Sequence, residues 1–107
     1  MWEQLINING NEIWRGAVFR LPAKAPYEEI VDFMLVEDRE AESGLSLIVS
    51  TGYKAGVKLF AFPKEARTNN TSYSIAKDWL IRNWNKLVYD NCKVEDVLFL
   101  KQYPSKV

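Results

Sequence analysis

Apolar and polar positions alternate along most of this chain, and the period changes once. Residues 2–8 and 12–21 are two apolar-rich runs on either side of Asn9-Gly10. That dipeptide favours the tight turn of a two-residue hairpin, so the two runs are expected to pair. In the second run Ile13, Ala17, Phe19 and Leu21 fall on one side, and Trp14, Val18 and Arg20 on the other, with Gly16 between them. Both sides carry apolar mass, as in a strand covered on both faces or one bulged at Gly16. Pro22 and Pro26 bracket a loop. Residues 28–37 read as a third strand on their Ile, Val and Phe content, with a short helix near Tyr27–Ile30 as the other way to begin it. Asp38 to Gly44 is a charged turn. From 45 to 51, Leu45, Leu47 and Val49 alternate with Ser46, Ile48 and Ser50, the pattern of a half-buried strand. Gly52-Tyr53-Lys54-Ala55-Gly56 makes the next turn, residues 57–62 a fifth strand stopped by Pro63, and residues 94–102 a last strand.

Between the fifth and last strands the period becomes helical. A polar loop through Asn69-Asn70-Thr71-Ser72 leads into a helix over about 74–89, with Ser72 or Ser74 supplying a capping oxygen. Ala76, Leu80, Trp84, Leu87 and Val88 share one face and Ile81 lies at its edge, while Asp78, Arg82, Asn85 and Lys86 take the other side. Asp78 and Arg82 sit four apart and are placed to pair. The expected fold is α+β: a mostly antiparallel sheet of about five to six strands with one amphipathic helix packed on it. At 107 residues, 1–107 is expected to be a single domain.

Composition narrows the chemistry. There is no histidine and one cysteine, Cys92, so the usual nucleophile–base and metal-ligand sets are missing and no disulfide can form within the chain. A lone cysteine is usually a small buried apolar residue and fits a reducing cytosol. Ser50 and Lys54 flank a turn with nothing to fix them as a catalytic pair. Glu28-Glu29 and Glu95-Asp96 are adjacent, and neighbours on a strand point to opposite faces, so they are poorly placed to share a proton. Gly52 to Gly56 lacks the Gly-Lys-Ser/Thr ending of a phosphate loop, and Glu37, Asp38, Glu40 and Glu42 lack the spacing of a calcium loop. Neither a cofactor nor a metal is expected. The Asn69 and Asn70 triplets match glycosylation sequons, but Met1-Trp2-Glu3-Gln4 does not begin a signal peptide, so a polar loop explains them better. No apolar run approaches the roughly 18 residues of a membrane span.

Acids and bases balance at fourteen each, against the basic excess of a generic nucleic-acid binder. Their order is uneven. Residues 27–42 hold Glu28, Glu29, Asp32, Glu37, Asp38, Glu40 and Glu42 with one base, Arg39. Residues 53–86 hold Lys54, Lys58, Lys64, Arg67, Lys77, Arg82 and Lys86 with Glu65 and Asp78. Either the fold shows one acidic and one basic patch, or the two segments lie side by side and neutralise each other. An acidic patch would suit a basic partner. Of the four tryptophans, Trp84 belongs to the apolar stripe. Trp79 lies off its centre and, like Tyr53, serves equally well as core material or as an interface anchor.

Three stretches carry a family likeness: Trp14-Arg15-Gly16 with Phe19 and Leu21-Pro22; Ser50 through Gly56; and Trp79-Leu80-Ile81 with Asn83-Trp84-Asn85-Lys86. Together, from about Trp2 to Tyr103, the chain resembles the bacterial immunity protein 45 family, found with polymorphic and contact-dependent growth-inhibition toxins. The resemblance implies a cytoplasmic, non-enzymatic inhibitor whose partner is the C-terminal domain of a cognate toxin, often a nuclease, blocked at its active site. It implies no direct contact with nucleic acid or membrane. The residues expected at the toxin are Glu37, Asp38, Glu40 and Glu42 as charged contacts and Tyr53 and Trp79 as anchors. The other functions open to such a chain are a general peptide-binding adaptor working by strand addition, a small enzyme using carboxylates, lysine or tyrosine, and nucleic-acid binding through the basic 53–86 segment.

Overall fold

Period-two segments become strands wherever their apolar side can reach a common core. The computed structural model describes residues 1–23, 28–69 and 72–104. Its main layer is a six-stranded sheet in the order β1 (Glu3–Gln4), β8 (Leu98–Leu100), β3 (Val18–Pro22), β4 (Ile30–Glu37), β5 (Leu45–Val49), β6 (Lys58–Ala61). Every pairing in it is antiparallel. A second, two-stranded sheet pairs β2 (Glu12–Trp14) with β7 (Ser74–Ala76), also antiparallel. The helix α1 (Lys77–Asn83) and a π turn over Trp84–Val88 pack on the main sheet. The α+β architecture read from the sequence is thus the observed one.

The inner face of the main sheet is built from alternate residues: Phe19 and Leu21 on β3, Val31, Phe33 and Leu35 on β4, Leu45, Leu47 and Val49 on β5, all at most 1% exposed. Trp84 closes on this face, 5.9 Å from the ring of Phe19 and 6.5 Å from that of Phe33. Such rings dominate the burial energy of a small core.

Several local expectations give way to tertiary structure. The Asn9-Gly10 hairpin does not form. Gly10 does turn, at φ +77°, but β1 pairs with β8 and β2 with β7. Leu5 and Ile8 are both buried, and their spacing of three suits the 3-10 turn at Leu5–Asn7 rather than a strand. The run 12–21 breaks at Arg15-Gly16, where the chain leaves the small sheet for the large one. Both Ile13 and Phe19 are thereby buried, with Ile13 opposite Ile75.

The helix begins three residues later than its pattern implied, because Ser74–Ala76 is drawn into β7 opposite Glu12–Trp14. Neither serine caps it. The Ser74 hydroxyl donates to Thr68 Oγ1 at 2.9 Å, and the free N–H of Asp78 donates instead to Asn11 Oδ1 at 2.9 Å. At the far end the Tyr89 N–H donates to the Trp84 carbonyl at 2.8 Å, five residues back. That extra residue in the turn rotates the stripe. Val88 is buried, but Leu87 is left 47% exposed. The Asp78–Arg82 pair forms, at 3.5 Å and well exposed. Pro26, the far bracket of its loop, together with Tyr27, Asn70 and Thr71, lies outside the described residues.

Candidate functional site

The turn joining β4 to β5 is organised around one carboxylate. Asp38 accepts from Lys58 Nζ at 2.7 Å, from the Ser46 hydroxyl at 2.7 Å and from the Glu40 N–H at 3.1 Å. Its backbone N–H donates to the Gly44 carbonyl at 2.8 Å, closing the loop. These donors, the Lys58 ammonium first, then the Ser46 hydroxyl, then the Glu40 amide, lower the Asp38 pKa to about 2. Gly44 ends the turn at φ +82°, a conformation that side chains disfavour.

Against this turn lies a cleft of about 430 Å³, lined by Glu37, Asp38, Glu42, Gly44, Arg67 and Tyr73 among others. A Cβ on Gly44 would stand 2.9 Å from Tyr73 Cε1, so the tyrosine ring rests where only glycine leaves room. The Arg67 guanidinium sits 4.6 Å from the centre of the same ring, and donates to the Ser72 carbonyl from Nε and Nη2 at 3.2 and 2.8 Å. Tyr73 is therefore held in place while 59% exposed.

A second groove, about 420 Å³, continues from the first through the shared Glu37 and Tyr73 and adds Trp14, Arg15 and Ser72. The corner that builds it is Trp14-Arg15-Gly16. The Gly16 N–H donates to the Leu35 carbonyl at 2.7 Å and the Leu35 N–H to the Ala17 carbonyl at 3.0 Å, with Gly16 at φ +91°. The corner brings the Arg15 guanidinium onto Glu37 as an exposed ion pair and leaves Trp14 44% exposed.

Of the residues singled out from the sequence, Glu37, Asp38 and Glu42 line one cleft, and Glu40 is tied to Asp38 through its amide. Tyr53 is 71% exposed but belongs to the turn at the other end of β5, with its N–H near Glu28 Oε2 at 3.5 Å. Trp79 is 8% exposed and packs 5.9 Å from Phe62 and 6.4 Å from Phe60. Of its two possible uses, the structure gives it the core. Trp14, Arg15 and Tyr73 were not among the expected contacts. Trp14-Arg15-Gly16 stood in the family likeness, but nothing in the local pattern separates the exposed Trp14 from a core tryptophan.

The two charged segments meet. Because β5 lies between β4 and β6, Lys58 reaches Asp38, and the Lys64 N–H donates to Glu42 Oε1 at 3.4 Å. The acidic turn is thus partly neutralised, in part by Arg15 from a third element.

A second polar network lies at the other end of the sheet. Arg20 donates twice to Asp32, at 2.8 and 3.0 Å, and the Tyr103 hydroxyl donates to Asp32 Oδ2 at 2.6 Å. Ser50 Oγ lies 3.1 Å from that hydroxyl, so it is engaged here and not with Lys54. Asp32 is 1% exposed. Burial first, and then the hydrogen bond to Asp32, push the Tyr103 pKa up. The network ties the chain after β8 to β4 and β5. Cys92 is buried, and burial, then the charge of Asp96, raise its thiol pKa, the opposite of what a nucleophile needs.

No helix among the described residues is long and apolar enough to cross a membrane. In comparisons with known proteins, a family model described as immunity protein 45 matches residues 5–99. No curated protein and no solved structure matches the chain.

Proposed function

The chain belongs to the immunity protein 45 family, and from that membership we propose that it binds and neutralises one cognate secreted toxin domain. The single observation that carries this function is the family match across residues 5–99, which spans every element of the fold from the Leu5 turn to β8. The partner is the C-terminal domain of a toxin delivered between bacteria by contact-dependent inhibition. The inhibitor waits in the cytoplasm of the producing or recipient cell and acts without turnover.

The contact surface is the double cleft beside the β4–β5 turn. Glu37 and Glu42 line it, Glu40 stands on the same turn, and Asp38 holds that turn together. Tyr53 stands at the opposite end of β5 and Trp79 in the core, so neither belongs to this contact. Carboxylates beside an aromatic anchor suit a nuclease, whose active site is basic because it grips phosphate. The ion pairs of Asp38 and Glu37 reduce the field of the turn, so the inhibitor acts by shape and mixed polar contact more than by imitating a polyanion.

The test uses the toxin domain encoded beside this chain's gene. Its activity on nucleic acid is measured with increasing amounts of the chain. Stoichiometric inhibition, relieved by excess substrate, is expected for a blocked active site. Tight binding with undiminished toxin activity would refute neutralisation, and inhibition indifferent to substrate concentration would refute occlusion.

A further inference from the structure

Resting on the toxin-binding function above, we propose that the groove between Trp14 and Tyr73 is the anchor point of the interface, and that its occupant is a lysine or arginine side chain of the toxin. Among the described residues the exposed large aromatics are Trp14 at 44%, Tyr73 at 59% and Tyr53, which stands at the other end of the sheet. Trp14 and Tyr73 line the same groove together with Glu37 at the end of β4. Exposed aromatic side chains beside a carboxylate suit a cation, which aromatic rings attract through their quadrupoles and the carboxylate pairs with. The Tyr73 ring already receives one guanidinium, that of Arg67 at 4.6 Å.

The resident partner of Glu37 is weakly held. Arg15 and Glu37 are 67% and 58% exposed, and such a pair contributes little. An incoming cation takes Glu37 at small loss while the desolvated contact with the rings adds to it. Further carboxylates surround the site. Glu42 lines the adjoining cleft, and Glu12 accepts from the Ser72 hydroxyl at 3.5 Å. Arg15 in the groove and Arg39 and Arg67 in the adjoining cleft balance these carboxylates, so the choice of a cation rests on Glu37 beside the exposed aromatic side chains, and a purely apolar occupant leaves Glu37 without a role. The fixed seat of Tyr73, against Gly44 and under Arg67, keeps the ordering cost on binding low.

The experiment titrates the purified toxin domain with wild-type chain and with Trp14→Ala, Tyr73→Ala and Glu37→Gln, at low and high salt, with circular dichroism to confirm folding. Tyr53→Ala, at the other end of the sheet, is the control. Trp14→Ala and Tyr73→Ala are each expected to weaken binding about tenfold or more. Glu37→Gln, which keeps the side chain's shape, is expected to weaken it by about tenfold and to flatten its salt dependence. Wild-type affinity for Glu37→Gln at both salt concentrations overturns the cationic occupant, whatever the aromatic variants do. Failure of the wild-type chain to bind the toxin removes the function on which the proposal rests, a result distinct from the first.

Discussion

Asp38 shows how one residue can be misjudged from its neighbours in sequence. Among four acids in a short stretch it reads as surface charge, yet its side chain is 13% exposed and holds Lys58, Ser46 and the Glu40 amide. No rule of spacing reveals this, because Lys58 comes from a strand twenty residues on. The depressed pKa has a measurable consequence. A carboxyl whose folded pKa lies below its unfolded value of roughly 4 stabilises the fold above that value, and loses this contribution as pH falls toward about 2. Thermal melts of the wild type between pH 5 and 2 are therefore expected to fall more steeply than those of Asp38→Asn, which starts lower at neutral pH. Identical slopes would remove Asp38 from the account of the turn. Gly44→Ala is a second test at this scale. The added methyl meets both a positive φ and the Tyr73 ring at 2.9 Å, so a lower melting temperature and a more mobile Tyr73 signal in NMR spectra are expected. Gly44 was legible only as a turn residue; its contact with Tyr73 is long-range and was not.

Among the elements, the strands with clean alternation were readable: β4, β5 and β6 lie within the ranges that their patterns marked. The failures occurred where a second force outbid local pattern. Asn9-Gly10 turns the chain but pairs nothing, because Leu5 and Ile8 reach the core from a 3-10 turn. The helix yields its first residues to β7 and receives its cap from Asn11, a residue far away in sequence. Asn11→Ala is expected to destabilise the protein by about 1 kcal/mol, the usual worth of an N-cap, and chemical denaturation will measure it. Trp79→Ala tests the core assignment of that ring. A loss of about 3–5 kcal/mol is expected for a large aromatic removed from a packed site. A loss below about 1 kcal/mol would return Trp79 to the surface. The outer strand β6 speaks against a general strand-adding adaptor. It is four residues long, irregular in register between Leu47 and Ile48, and carries Lys58 tied to Asp38. Short, bulged and charged edges resist pairing with other chains.

At the level of the whole molecule, the balance of charge visible in the sequence has a spatial counterpart. Several bases of the 53–86 segment are engaged within the fold: Lys58 pairs with Asp38, Arg67 covers Tyr73, Lys77 donates to the Ile8 carbonyl at 2.7 Å, and Arg82 faces Asp78. The fold class and the family likeness could be read from residues. The double cleft could not, since it is assembled from the 14–16 corner, the 37–44 turn and Tyr73, three places with no common pattern. In the proposed function they form one contact surface for the toxin. The most direct test is rescue. Bacteria expressing the toxin domain encoded beside this chain are expected to grow normally when the chain is co-produced, and to die when an unrelated toxin is supplied instead. Unrelieved killing by the cognate toxin, with folded chain present in excess, would contradict the function assigned here.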